Sequence, residues 1–205
     1  MDFAALPSPL WVLGTGTGVG KTHVSACIAR TWAQSGPVVY RKPFQTGVDR
    51  ADHPEADASV LASTLRAPGI STENHTLLKA PLSPMAAALR ENRTIDLADA
   101  AAWCRRPGEG RVLLEGVGGL MVPLAPRMHF LAWATDLHIP CVLVALGGLG
   151  TLNHTLLSAE ALMLRGWRIE AVLLNPGADD APADAVEENA ALLRGFLPLP
   201  VAILD

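Results

Sequence analysis

Cysteine is scarce in this chain of 205 residues: Cys27, Cys104 and Cys141 are odd in number, far apart and without a CxxC pair. A disulfide framework or a thiolate zinc site is thereby excluded as the organising feature, and a reducing compartment, the cytoplasm, is the expected location. Positive charge is also short, with 16 Lys+Arg against 20 Asp+Glu, a net charge of −4 and no Lys/Arg run. Such a chain has no electrostatic footprint for nucleic acid or an anionic membrane, so any anion it binds must be held by a few well-placed groups. No stretch reaches the roughly 18 consecutive apolar residues of a membrane-spanning helix. The richest run, Cys141–Leu149, suits a buried strand and the loop after it. The N-terminus has no basic region, and its apolar stretch is broken by Pro9 and ended by Gly14, so no signal peptide is expected. Repeats, low-complexity tracts and linkers are lacking too, so residues 1–205 are read as one domain.

What is present is apolar residue, half of the chain, and glycine concentrated in few places. Ten of the 18 glycines fall in residues 14–20, 116–119 and 147–150. Short apolar runs alternate with longer amphipathic ones, which predicts an α/β fold: a mostly parallel sheet with helices on both faces. The expected strands are Leu10–Leu13, Val38–Arg41, Val112–Leu114, Cys141–Leu146, Ile169–Leu174 and Leu199–Leu204. Val24, Cys27, Ile28 and Thr31 follow helical spacing, as do Phe130, Trp133, Ala134 and Leu137, so each set predicts an apolar stripe turned to the sheet. Further helices are expected over Thr151–Arg165 and Ala183–Arg194, with two or three more between residues 55 and 106.

The sharpest local signal is Gly14-Thr15-Gly16-Thr17-Gly18-Val19-Gly20-Lys21-Thr22, placed after the first strand and opening the first helix. Glycines there let backbone N–H groups turn inward around a phosphate, Lys21 can reach the β/γ oxygens, and the Thr22 hydroxyl can ligate Mg²⁺. The pattern G-x-x-x-x-G-K-[ST] is missed by one place, since Thr15 stands where the first glycine belongs; the loop is a variant. Ligands of open α/β sheets bind at the carboxyl ends of the strands. At the second strand's end, Lys42-Pro43-Phe44-Gln45-Thr46-Gly47 offers a cation and a hydroxyl, although a lysine there is by itself more often solvated. At the third, Glu115 follows a wholly apolar strand, a costly place for a carboxylate unless a cation pairs with it, which points to Mg²⁺. Asp57 is a weaker metal candidate, because helix starts favour acids anyway. At the fourth, Gly150-Thr151-Leu152-Asn153-His154 opens a helix that either faces an anion or is capped by Thr151 or Asn153. His154 has no acid or nucleophile to act with and reads as structural.

Taken in order, these segments, with Leu82-Ser83-Pro84, Glu115-Gly116-Val117-Gly118-Gly119 and Asn175, closely resemble the dethiobiotin synthetases, P-loop enzymes of biotin synthesis. That family shows the same one-place offset in its phosphate loop, and the resemblance spans nearly the whole chain. It implies a three-layer P-loop fold and an ATP- and Mg²⁺-dependent ring closure of 7,8-diaminopelargonate with CO₂ (or bicarbonate as its source) to dethiobiotin, ADP and phosphate. It further implies that Lys21 and Lys42 meet the phosphoryl and carbamate oxygens, and that Thr22, Asp57 and Glu115 hold Mg²⁺. On the same resemblance, Thr17 and Thr46 are expected to hydrogen-bond at the carbamate and γ-phosphate, the backbone of Gly18, Val19, Gly20 and Lys21 to cradle the phosphates, and Asn175 to meet the adenine. By the same resemblance the enzyme is a homodimer, with the diamine near Gly118 and the substrate carboxylate at Thr151, Leu152 and Asn153 of the other subunit. Two positions depart from the family pattern: Gly18, often acidic or polar there, and Met85, where a histidine is usual. The alternative of the same fold is a ParA/MinD-like ATPase switch. That class carries a signature lysine near the loop's start, where this chain has Gly14-Thr15-Gly16.

Overall fold

The computed structural model describes residues 1–50, 52–54, 57, 60–61, 69–177 and 182–204. Among these, β1 (Leu10–Gly14) leads through the glycine loop to α1 (Lys21–Ala33), followed by β2 (Val38–Thr46) and β3 (Ile70–Leu78). Helices α2 (Pro84–Arg90) and α3 (Leu97–Arg105) precede β4 (Arg111–Glu115). A two-stranded ribbon, β5 (Pro123–Ala125) and β6 (Met128–His129), leads into α4 (Phe130–Thr135). The chain closes with β7 (Cys141–Leu146), α5 (Thr151–Met163), β8 (Ile169–Asn175), α6 (Ala183–Phe196) and β9 (Val201–Ile203).

Seven strands form one sheet in the order β3-β2-β4-β1-β7-β8-β9, every neighbouring pair parallel. Side chains alternate across a strand, so each central strand serves two cores. Leu10 and Val12 of β1, with Val142, Val144, Ala171 and Leu173, pack with Val24, Ile28 and Trp32 of α1. Trp11 and Leu13, with Leu143 and Leu174, pack on the opposite face among residues of α3, α4, α5 and α6. Helices therefore cover both faces, as the alternating apolar runs require. Among the described residues no helix is long and apolar enough to cross a membrane.

Three sequence-based expectations need adjustment. The second strand continues past Arg41 to Thr46 because β3 pairs with it as far as Thr46–Leu78, whereas β4 pairs with it only from Val38 to Arg41. Its last five residues thus leave one edge free, and Pro43 falls where its missing N–H breaks no bond to β4. Strand β3 itself, Ile-Ser-Thr-Glu-Asn-His-Thr-Leu-Leu, is a sheet edge with a polar sequence and gives no apolar run to detect. In α1 the buried side chains are Lys21, Val24, Ser25, Ala26, Ile28, Ala29 and Trp32, while Cys27 is only partly covered, so the inward stripe lies beside the expected one. Of the helices expected between residues 55 and 106, α2 and α3 are present; apart from Asp57, Val60 and Leu61, residues 55–68 of that segment lie outside the described residues.

Candidate active site

The carboxyl ends of β1, β2 and β4 and the first turn of α1 enclose a cavity of about 480 Å³. Thr17, Gly18, Gly20, Lys21, Thr22, Lys42, Thr46, Asp57, Glu115 and Gly118 all line it. The loop that opens it turns on Gly20, whose φ of +95° ends the loop and caps α1 without any side-chain bond. A Cβ there would stand 2.1 Å from Asn175 Nδ2. Left-handed backbone and close approach both demand glycine.

Lys21 is buried, and its Nζ donates to the carbonyls of Gly16 (2.7 Å) and Gly118 (2.9 Å), tying the phosphate loop to the loop after β4. An ammonium has three protons. Those carbonyls are its hydrogen-bond partners among the described residues, so one proton remains for an anion in the cavity. Burial, with the Lys42 charge in support, lowers the Lys21 pKa to about 8, only partly opposed by Glu115 and Asp57.

Lys42 Nζ contacts Asp57 Oδ2 at 2.6 Å, Glu115 Oε1 at 2.7 Å and the Gly116 carbonyl at 3.0 Å, which engages all three of its protons. Burial alone would depress its pKa; the two carboxylates more than offset that and hold it above the ordinary lysine value. The solvated-lysine expectation at this position is therefore wrong: β2 outruns β4 and delivers Lys42 between two acids. Thr22 Oγ1 lies 3.1 Å from Asp57 Oδ1 and 3.0 Å from Glu115 Oε1, a single proton facing two carboxylate oxygens. Hard oxygen donors with too few protons between them, and an ammonium already drawn to the same acids, suit a small divalent cation. Asp57 is further held by its N–H, which donates to Gln45 Oε1 at 3.2 Å.

Two groups escaped the sequence reading. Ser25 Oγ and Tyr40 Oη both donate to Glu115 Oε2, at 2.7 and 3.0 Å. Tyr40 is wholly buried, and burial first, then the charges of Glu115 and Asp57, push its hydroxyl pKa well above the usual value. Their signal was positional: Ser25 stands one helical turn after Thr22, and Tyr40 two residues before Lys42, each on the same face as its functional neighbour.

The remaining sites lie apart from this cavity. Asn175 Nδ2 donates to the Val19 carbonyl at 3.1 Å and Asn175 Oδ1 accepts from Gly177 N–H at 3.3 Å, so the end of β8 is stitched to the phosphate loop. At the start of α5 the cap is Gly150, left-handed at φ +87°, with no side-chain cap. The Thr151 hydroxyl is instead buried against Thr155, 3.2 Å away. The capping alternative for Thr151 and Asn153 thus fails. Leu152 and Asn153 line a separate cavity with Gly148 and Asn189, so within one chain the structure does not bring them to Lys21 and Lys42.

A parallel sheet with a glycine loop, lysine and threonine between β1 and α1, and acids at neighbouring strand ends, defines a P-loop nucleoside-triphosphate-binding protein. Comparison with known proteins refines this. The AAA domain family matches residues 9–202. The ATP-dependent dethiobiotin synthetase BioD of Methylobacterium nodulans is 39% identical, over 95% of this chain and 93% of its own length. The protein of the same name from Acidiphilium cryptum is also 39% identical, over 97% of this chain and 93% of its own. The chain belongs to the ATP-dependent dethiobiotin synthetase family. Among solved structures, the septum site-determining protein MinD of Pyrococcus horikoshii, complexed with Mg-ADP, aligns over 95% of this chain and 79% of its own, with a TM-score of 0.55 and 17% identity. At that identity the likeness is one of fold.

Proposed function

We propose that the protein, a single P-loop domain over residues 1–205, is a cytoplasmic dethiobiotin synthetase that closes a ureido ring on 7,8-diaminopelargonate with CO₂ and ATP. One observation carries this reading: in a chain of this family, Lys21, Lys42, Thr22, Asp57 and Glu115 converge on one cavity at the strand ends.

CO₂ adds to one amine of the substrate, which loses a proton and becomes a carbamate. The carbamate oxygen attacks the γ-phosphorus of ATP and displaces ADP, forming a carbamic-phosphoric anhydride. The second amine attacks the carbonyl carbon, phosphate leaves, and the ring closes. No covalent bond to the protein is required, so charge stabilisation and positioning carry the rate. Backbone N–H groups of Gly18, Val19, Gly20 and Lys21 face the phosphates, and the free proton of Lys21 meets the transferring phosphoryl group. Lys42 gives up a carboxylate contact to reach the carbamate oxygen. Thr17 and Thr46 orient carbamate and γ-phosphate by hydrogen bonds, and Asn175 meets the adenine edge. Thr22, Asp57 and Glu115 would hold Mg²⁺, which when bound offsets the negative charge on the phosphate oxygens.

A homodimer supplies what one chain lacks. The diamine lies near Gly118, and its carboxylate meets the helix start at Thr151–Asn153 of the second subunit. An apolar cleft of about 820 Å³ adjoins the site through Thr17 and Val122. It is bordered by Met121, Leu157 and Leu164, which are 52%, 58% and 77% exposed, a covered surface in a dimer.

The test is product formation. Purified protein with ATP, Mg²⁺, bicarbonate and 7,8-diaminopelargonate is expected to yield dethiobiotin by mass spectrometry, with ADP released in step. Nucleotide binding without dethiobiotin would sink the assignment.

A further inference from the structure

Glu115 divides its two carboxylate oxygens between different kinds of partner. Oε1 faces Thr22 and Lys42, at 3.0 and 2.7 Å, on the cavity side. Oε2 is turned away and accepts from Ser25 at 2.7 Å and Tyr40 at 3.0 Å, both buried. A free carboxylate rotates broadly about its last torsion and can offer either oxygen or both. Two hydroxyl donors on one oxygen remove that freedom, and such bonds to a charged acceptor are the strong kind.

The surroundings make the arrangement hard to explain as packing alone. Tyr40 is the chain's single tyrosine and lies in the α1-side core among Val12, Ile28 and Leu113. A phenylalanine would fill the same volume there without a hydroxyl to satisfy, and a buried unsatisfied hydroxyl costs about 1–3 kcal/mol. Its one hydroxyl partner among the described residues is Glu115 Oε2. Being stiff, with two side-chain torsions, and carried on a strand, the phenol has a fixed direction. Ser25 supplies the second donor from α1, one turn beyond Thr22. Mg²⁺ in turn demands near-octahedral geometry, which a carboxylate locked to one-oxygen ligation meets better than one free to chelate.

We infer that Tyr40 and Ser25 are positioning residues that clamp Glu115 Oε2, confine the carboxylate to ligation through Oε1, and so set the divalent-cation affinity of the nucleotide-loaded site. The inference rests on the reading of this cavity as a Mg²⁺–nucleotide site. Partners behind a metal ligand typically contribute 10–100-fold in metal affinity.

The test uses the full chain with ADP and Mn²⁺, followed by electron paramagnetic resonance, so that no biotin precursor is involved. Tyr40→Phe is expected to weaken Mn²⁺ binding about ten-fold, and Ser25→Ala in the same direction, while ADP binding in EDTA stays at the wild-type level. In turnover, half-saturation should move to about ten-fold more Mg²⁺, with the loss recovered at saturating cation. A purely structural role would lower stability without moving either cation curve. If Tyr40→Phe fails to fold, Ser25→Ala decides. Wild-type Mn²⁺ affinity in the folded variants, equal loss of ADP binding with and without cation, or no Mn²⁺ in the wild-type complex would each overturn the clamp. A wild-type protein that makes no dethiobiotin yet shows the Tyr40 effect on Mn²⁺ would refute the proposed reaction alone; dethiobiotin formation with unmoved Mn²⁺ affinity would refute the clamp alone.

Discussion

Lys42 and Glu115 form an ion pair 2.7 Å long whose side chains are 4% and 1% exposed. Two charges have been taken out of water together, each tolerable because the other is there, and Asp57 makes the group a triad. Removing one member of a buried pair typically costs about 3–5 kcal/mol, because the survivor is left uncompensated. Lys42→Met is accordingly expected to lower the unfolding free energy by an amount of that order in urea denaturation. Mg²⁺ should restore the thermal midpoint of the variant more than that of the wild type, since the cation takes over the neutralising role. Equal responses to Mg²⁺ would show that Asp57 and Glu115 do not share a cation.

Lys21→Ala should keep the fold, read by circular dichroism, and lower turnover by about a hundred- to a thousand-fold, the usual loss when one donor to developing charge is removed. Full activity in this variant would refute the phosphate-loop argument.

The pH dependence of stability carries a mark of the same lysine. In the unfolded chain it titrates near 10.5, and in the folded, ligand-free protein near 8. Below pH 8 it is protonated in both states and the cost of burying its charge is fully felt. Between 8 and 10.5 the unfolded chain binds the extra proton, so the contribution of Lys21 to stability rises with pH. Urea denaturation at pH 7.5 and 9 should show wild type gaining on Lys21→Met; a constant difference would contradict the depressed value.

Gly20→Ala meets two obstacles, a left-handed backbone and the Asn175 amide. Left-handed geometry alone costs a residue with a Cβ about 1–2 kcal/mol. The thermal midpoint should fall with it, measurable by calorimetry, and Gly20→Ala combined with Asn175→Ala should recover part of that loss in stability.

Charge placed on the apolar cleft tests the dimer. Leu157→Glu with Leu164→Glu should give a monomer in analytical ultracentrifugation and abolish dethiobiotin formation while leaving ADP binding intact. A wild-type protein that is monomeric at assay concentrations would rule the shared site out.

Much of the candidate active-site cavity was legible along the chain because its signals are local. The glycine loop, Lys21 and Thr22 are contiguous, Glu115 ends an apolar run, and all of them line one cavity in the structure. Ser25 and Tyr40 were not legible. Each stands inside an apolar segment, where a small hydroxyl or a phenol reads as core, and each gains meaning only when Glu115 lies opposite. The edge strand β3 was hidden for a related reason: its pairing with β2, not its own apolar content, makes it a strand.

Residue type and spacing along the chain were enough to determine the α/β alternation, the phosphate loop and which side chains carry charge at strand ends. The matching of oxygens to cations was decided only by strand order. Placing β4 between β2 and β1 sets Tyr40 and Lys42 on one side of Glu115 and the α1 residues Thr22 and Ser25 on the other. These contacts span between 73 and 93 positions of sequence. Backbone propensity and hydrophobic period act within a few residues, whereas a buried carboxylate is satisfied by whatever the sheet brings beside it.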